Sequence, residues 1–219
     1  MNIKGKKIAF LGDSITFGVG ASASDKVYWK LIQEKTDAVC QGLGINGTRI
    51  EKKINPEPGA EHDKKHFITR VDYIDKDTDI IMVLGGVNDF GHGDAPLGNM
   101  SDRKEDTFYG ACHLLYTKLI ESFPDADIVI MTPLHCADDE REAPDAEGFS
   151  YKRKLLDYVD AILEVAAEYS LPVLDLYRTS GIQPKIKAQR EMFMPDGLHP
   201  NDAGYARIAE RITAFLHNL

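Results

Sequence analysis

The sequence has no C-x-x-C pair, no surplus of basic charge and no long apolar run. Its three cysteines, Cys40, Cys112 and Cys136, are scattered and odd in number. That pattern argues against a disulfide framework and predicts reduced thiols in a cytoplasmic protein. With 26 Lys and Arg against 35 Asp and Glu, the formal net charge is −9. Nucleic acid is therefore not an expected partner, because neutralising phosphates takes clustered basic residues. No stretch approaches the roughly 20 apolar residues that span a bilayer. The start, Met1 to Lys7, runs into the first strand without the apolar core of a signal peptide, so no membrane partner is expected either.

What is present suits one α/β domain over residues 1–219, with 43% apolar residues to build a core. The chain alternates strand and helix. Ile8-Ala9-Phe10-Leu11-Gly12 reads as a short buried strand that stops at Gly-Asp-Ser. A helix is expected over 25–36, a second strand over 38–40 and a helix fragment over 67–74. The clearest buried strand covers 79–84, followed by a long helix over 107–123. A fourth strand is expected over 127–131, a helix over 151–169, a fifth strand over 171–176 and a final amphipathic helix over 201–217. Five strands with helical crossovers predict a three-layer α/β/α sandwich around a parallel sheet of order 2-1-3-4-5. The acidic stretch Asp138-Asp139-Glu140-Arg141-Glu142 reads as a solvated loop, and His62 to His66 as charged surface.

Polar residues gather at one end of that sheet. Ser14 follows strand one, Gly44-Ile45-Asn46-Gly47 follows strand two, and Gly86-Val87-Asn88-Asp89 follows strand three. Ligands of open parallel sheets bind beyond the carboxyl ends of the strands, so these loops should meet there. Taken singly, Ser14 suits a helix cap and Asn88-Asp89 suits a turn. Taken together, a serine nucleophile needs donors for a developing oxyanion, which a glycine-rich turn and a side-chain amide supply. Of the seven histidines, His199 has an acid at a useful spacing, in Asp196-Gly197-Leu198-His199. A carboxylate there accepts from one imidazole nitrogen and leaves the other as a base. A fifth strand lies three strands from the first, roughly 14 Å away, so the long connection over 177–195 must carry the histidine back across the rim. His135-Cys136 with Asp138 lacks a ligand pair of zinc-site form.

These four blocks, in this order, resemble the SGNH (GDSL-type) esterase/lipase family, and the resemblance runs from strand one to the last helix. It implies Ser14 as nucleophile, His199 as general base and acid, and Asp196 as its orienting partner. It also implies an oxyanion hole of the Ser14 N–H, the Gly47 N–H and the Asn88 side chain, with Gly44 a possible substitute for Gly47. Ile15 replaces the leucine that gives GDSL its name. No metal or organic cofactor is implied. The absence of G-x-S-x-G separates the chain from the α/β-hydrolases.

A small-molecule ester is the expected partner. The long connections after strands three and four should shape its pocket. Asp13, Phe90 and His135 are the side chains expected against it. Their polar, lid-free character points to a short acyl group, such as acetyl on a carbohydrate, with a lysophospholipase or thioesterase as the alternative. Two readings from other classes remain. Gly18-Val19-Gly20-Ala21-Ser22-Ala23 fits a G-x-G-x-x-A nucleotide loop, although it starts late after the strand and lacks an acidic residue at the end of strand two. A binding protein on an inert hydrolase scaffold is the other.

Overall fold

The computed structural model describes residues 1–144, 148 and 150–219, without the side chains of Ala143, Pro144 and Tyr151. Strand β1 (Lys7–Gly12) is buried from Ile8 onward and pairs in parallel on both sides. Its neighbours are β2 (Val39–Gly44) and β3 (Ile80–Leu84); beyond β3 lie β4 (Asp127–Met131) and β7 (Val173–Leu174). The order β2-β1-β3-β4-β7 is the expected one, with β7 as the fifth strand of the sheet.

Alternation along these strands divides the core in two. Ala9, Leu11, Ile81, Val83, Ile128 and Ile130 face one layer, while Ile8, Phe10, Ile80, Met82, Leu84, Val129 and Met131 face the other. A strand buried on both faces must be apolar at every position, which is why these segments read as unbroken hydrophobic runs. The first layer is covered by α4 (Phe108–Ser122), α5 (Leu155–Glu168) and the 3₁₀ segment Phe67–Tyr73. The second is covered by α2 (Tyr28–Thr36) and α8 (Asp202–His217), which pack on each other. The result is an α/β/α sandwich. Side-chain caps fix several of its helix starts: Thr107 accepts from Gly110 N to open α4, and Asn201 accepts from Gly204 N to open α8.

Three segments differ from the expected outline. The fifth strand is only two residues long, because Pro172 precedes it and Asp175 caps α6 (Leu176–Thr179) by accepting from Arg178 N. The connection after β4 holds an antiparallel hairpin, β5 (Glu140–Pro144) with β6 (Ser150–Lys154), so the helix expected from 151 starts at Leu155. Residues 145–147 and 149 of that connection lie outside the described residues. The acidic stretch is not simply solvated: Asp139 is buried, and Arg141 and Arg153 donate to Gly91 O (2.7 Å) and Gly93 O (2.6 Å). Likewise Asp63 and His66 are buried instead of lying on a charged surface. Among the described residues, no helix is long and apolar enough to cross a membrane.

Candidate active site

Register places the site. Gly12 lies opposite both Gly44 and Leu84, so β1, β2 and β3 end on one line and their loops emerge together. Just past β1, Asp13 caps the four-residue helix α1 (Ser14–Phe17) by accepting from Ile15 N at 2.9 Å. Ser14 thus takes the first position of a helix, where a backbone N–H has no intrahelical partner. Ser14 is 7% exposed.

His199 reaches Ser14 from the far side of the rim. Helix α7 (Lys187–Phe193) lies in the connection that carries the chain back, and Gly204 N–H, Asn201 and Pro200 then lead into α8. His199 Nε2 lies 3.0 Å from Ser14 Oγ, and His199 Nδ1 lies 2.8 Å from Asp196 Oδ2. Asp196 Oδ1 accepts from the backbone N–H of Leu198 and of His199, at 2.8 and 2.7 Å. Burial works against the charge of Asp196, but these bonds outweigh it and hold its carboxyl below the usual range. An ionised Asp196 accepts the Nδ1 proton, which leaves the Nε2 lone pair facing the serine hydroxyl.

The second half of the site is the loop after β2 and the helix α3 (Val87–His92). Gly47 adopts φ +71°, a left-handed conformation that a side chain would strain, and a Cβ there would sit 3.2 Å from His62 Cδ2. Gly44 is a different kind of glycine: a Cβ on it would lie 2.0 Å from Phe17 N, so it is needed for α1 to approach β2. The Ser14 and Gly47 N–H groups have no hydrogen-bond partner among the described residues. Asn88 is 7% exposed and donates through Nδ2 to Thr48 O at 2.9 Å, with Oδ1 3.2 Å from His92 Nε2.

Two buried arginines brace this half, and neither was legible as a site residue. Arg70 donates to Gly12 O (3.0 Å), Leu43 O (2.8 Å) and Thr48 Oγ1 (3.0 Å), tying the ends of β1 and β2 to the glycine loop. Burial pushes its pKa down to about 10. Arg49 pairs with Asp63 Oδ1 at 2.6 Å and contacts His92 Nδ1 at 3.0 Å. Nothing marked them in the sequence, since a buried arginine has no apolar periodicity and the partners of both come from other segments of the chain.

A cavity of about 220 Å³ opens beside Asp196 and Asn88, lined also by His92, Arg141 and Leu198 among others. Phe90 backs it from the core, fully buried beneath the Arg141 guanidinium at 5.0 Å. Asp13 is not at its wall: it is 1% exposed and lies under the serine, where burial pushes its carboxyl up to about 6. His135 is not brought to this cavity either. It stacks on Tyr177 at 3.7 Å, binds Asp139 at 2.7 Å and lines a separate hollow with Arg178 and Ser180. The acid that holds His135 is Asp139, four residues on, and not Asp138. Gly18 closes α1 as its left-handed cap, so the G-x-G-x-x-A stretch does not open a helix straight from a strand as a dinucleotide loop does. Among the described residues, no three His, Cys, Asp or Glu side chains converge as a metal-binding group.

This arrangement has relatives. One crystal structure is 34% identical, with TM-score 0.86 over 100% of this chain and 99% of that one. The structure of a protein from Lactobacillus plantarum is 32% identical, with TM-score 0.82 over 98% of both chains. A two-domain esterase active on acetylated mannans is 20% identical, with TM-score 0.61 over 97% of this chain and 49% of its own, a likeness of fold. No curated protein matches the sequence significantly. The sequence profile of the GDSL-like lipase/acylhydrolase family matches residues 10–207, nearly the whole span from β1 into α8. With the serine, amide and histidine blocks all falling inside that span, the chain belongs to the GDSL-like lipase/acylhydrolase family.

Proposed function

We propose that the protein is a serine esterase that hydrolyses short-chain carboxylic esters, acetyl esters above all, through an acyl-enzyme. The observation that carries this reading is the continuous line from Ser14 Oγ through His199 to Asp196, at 3.0 and 2.8 Å. His199 Nε2 takes the Ser14 proton as Oγ attacks the ester carbonyl, and the carbonyl π pair moves onto oxygen. The Ser14 N–H, the Gly47 N–H and the second Nδ2 hydrogen of Asn88 receive that oxyanion. Its collapse breaks the bond to the alkoxy oxygen, which leaves as an alcohol with the proton from His199. Water then repeats the cycle: His199 removes its proton, the hydroxyl adds to the acyl carbon, and Ser14 Oγ departs and is reprotonated as the acid is released.

The small volume of the cavity supports a short acyl or alcohol group, and the mannan-active neighbour supports a carbohydrate ester. Free Cys40, Cys112 and Cys136 support a reducing, cytoplasmic setting. A fluorophosphonate should label Ser14, and p-nitrophenyl acetate and butyrate should be cleaved faster than esters of eight carbons or more. Absence of labelling in folded protein would leave a non-catalytic scaffold. A long-chain optimum would instead favour a lysophospholipase-like or thioesterase-like acylhydrolase.

A further inference from the structure

Asn88 can serve an oxyanion only if its amide is held with Nδ2, not Oδ1, toward the carbonyl, and the surroundings of the amide fix that choice. The groups involved come from the loop after β2 and from α3. Arg49 is 1% exposed, and its guanidinium donates but never accepts. Its Nη1 lies 3.0 Å from His92 Nδ1, so that nitrogen must be the acceptor and carry no proton. The neutral imidazole then bears its hydrogen on Nε2, 3.2 Å from Asn88 Oδ1. At the other end of the amide, Thr48 O accepts from Nδ2 at 2.9 Å. Turning the amide over would set its oxygen against the Thr48 carbonyl and its N–H against the His92 N–H, two unfavourable contacts in place of two bonds. The Arg49 guanidinium is itself fixed by Asp63 Oδ1 at 2.6 Å, and its Nη1 also lies 3.5 Å from Gly47 O. One buried cation therefore touches the glycine loop directly and the Asn88 amide through His92.

We propose that His92 is a positioning residue: held through Nδ1 by Arg49, it donates Nε2–H to Asn88 Oδ1 and so aims the remaining Asn88 N–H at the oxyanion. The proposal rests on the reading of Asn88 as an oxyanion donor. The charges around the ring agree with a neutral imidazole. Burial, with Arg49, Lys53 and His62 nearby, pushes the His92 pKa down to about 4. An imidazolium would place a second N–H against Arg49 and lose that bond.

The test is a double-mutant cycle read by single-turnover acylation with a short ester, on variants whose thermal transitions show that they are folded. His92→Leu should lower the acylation rate about 10-fold with KM little changed, because a loosened amide fails mainly in the transition state. His92→Gln, which offers one donor and one acceptor at similar reach, should restore most of that loss. In an Asn88→Ala background, His92→Leu should have no further effect. A folded His92→Leu enzyme at the parental rate, or one losing the same factor in both backgrounds, would overturn the proposal. An Asn88→Ala enzyme at the parental rate would instead remove the oxyanion reading on which it rests. Should His92→Leu not fold, ¹⁵N NMR of the parent's histidines decides: an Nε2–H tautomer at neutral pH is required, and an Nδ1–H tautomer overturns the proposal.

Discussion

The proposed site has an acid–base half and an oxyanion half, and the two are held in opposite ways. The acid–base half is built locally. Asp196 and His199 stand three residues apart on one turn, and the backbone N–H groups of that turn grip the carboxylate. The Asp196 side chain is 56% exposed, and water does not disturb the arrangement because the turn itself supplies the geometry. The oxyanion half is built at long range and in the dark. Asn88 meets Thr48 from a loop 40 residues earlier, Arg70 reaches Gly12 across 58 residues, and Arg49 pairs with Asp63, both essentially without exposure. The difference shows where precision comes from: hydrogen bonds within one turn on the first side, and buried cations bridging separate loops on the second.

If that contrast holds, breaking the local half should fail as chemistry and leave the fold intact. Asp196→Asn is the sharpest case. Leu198 N–H and His199 N–H would keep the amide oxygen where Oδ1 stands, and so place the new NH₂ where Oδ2 faces the imidazole. A donor there forces His199 to accept at Nδ1 and carry its proton on Nε2, the wrong tautomer for a base. Acylation of Ser14 should fall by about 10⁴-fold with the thermal midpoint nearly unchanged. A loss of only a few-fold would show that Asp196 does little beyond shaping the turn.

The same contrast explains what could be read from the sequence. Asp196 and His199 were legible because a three-residue spacing is a geometric statement in itself. The strands were legible because burial on both faces leaves runs such as Ile80 to Leu84 with no polar break, and their order followed from the helical crossovers between them. The hairpin β5–β6 was not, since E-R-E and K-R-K carry no apolar alternation; its anchoring comes from Arg141 and Arg153 reaching the carbonyls of Gly91 and Gly93. Phe90 and His135 both follow strand ends on the expected rim, but position in the chain does not say which way a side chain turns, and His135 turned to Tyr177. The contact of Arg49 with His92 was invisible for another reason: the two stand 43 residues apart, and no spacing in the sequence marks it.

Breaking the long-range half should fail first as stability. Arg49→Met removes the cation that faces Asp63, whose side chain has no exposure. A buried carboxylate left without that partner costs about 3–5 kcal/mol, partly relieved here by Lys53 at 3.7 Å. Chemical denaturation should show that loss. Adding Asp63→Leu to Arg49→Met should recover a large part of it, because the penalty lies in the orphaned charge. The double variant, refolded but without the arginine, should still acylate slowly if the guanidinium holds the oxyanion loop. Full recovery of both stability and rate would reduce Arg49 to filler.

Asp13 joins the two halves and gives the smallest expected effect. Its side chain is buried beneath Ser14, and burial pushes its pKa to about 6 despite the opposing Ile15 N–H, Arg70 and His199. An acid whose folded pKa lies above its unfolded value near 4 is best tolerated when protonated. Its contribution is therefore most favourable below about pH 4 and is lost as pH rises through about 6. Above that point, keeping the carboxylate ionised under the serine costs on the order of 2–3 kcal/mol. Asp13→Asn keeps the cap, since an asparagine oxygen accepts from Ile15 N as well as a carboxylate does. The variant should be more stable than the parent at pH 7.5, with the gain shrinking to near zero by pH 4. Using the difference between the two proteins cancels the other titrating groups, among them Asp89, which burial also pushes to about 6. The gain should come at the expense of rate: an ionised Asp13 favours the imidazolium that His199 becomes during acylation, and the neutral amide does not. Thermal melts across pH 4–8, paired with single-turnover acylation at pH 7.5, read both effects. A variant no more stable than the parent at pH 7.5 would mean that burial does not raise the Asp13 pKa, and that its carboxylate is ionised beneath Ser14 at no cost to the fold.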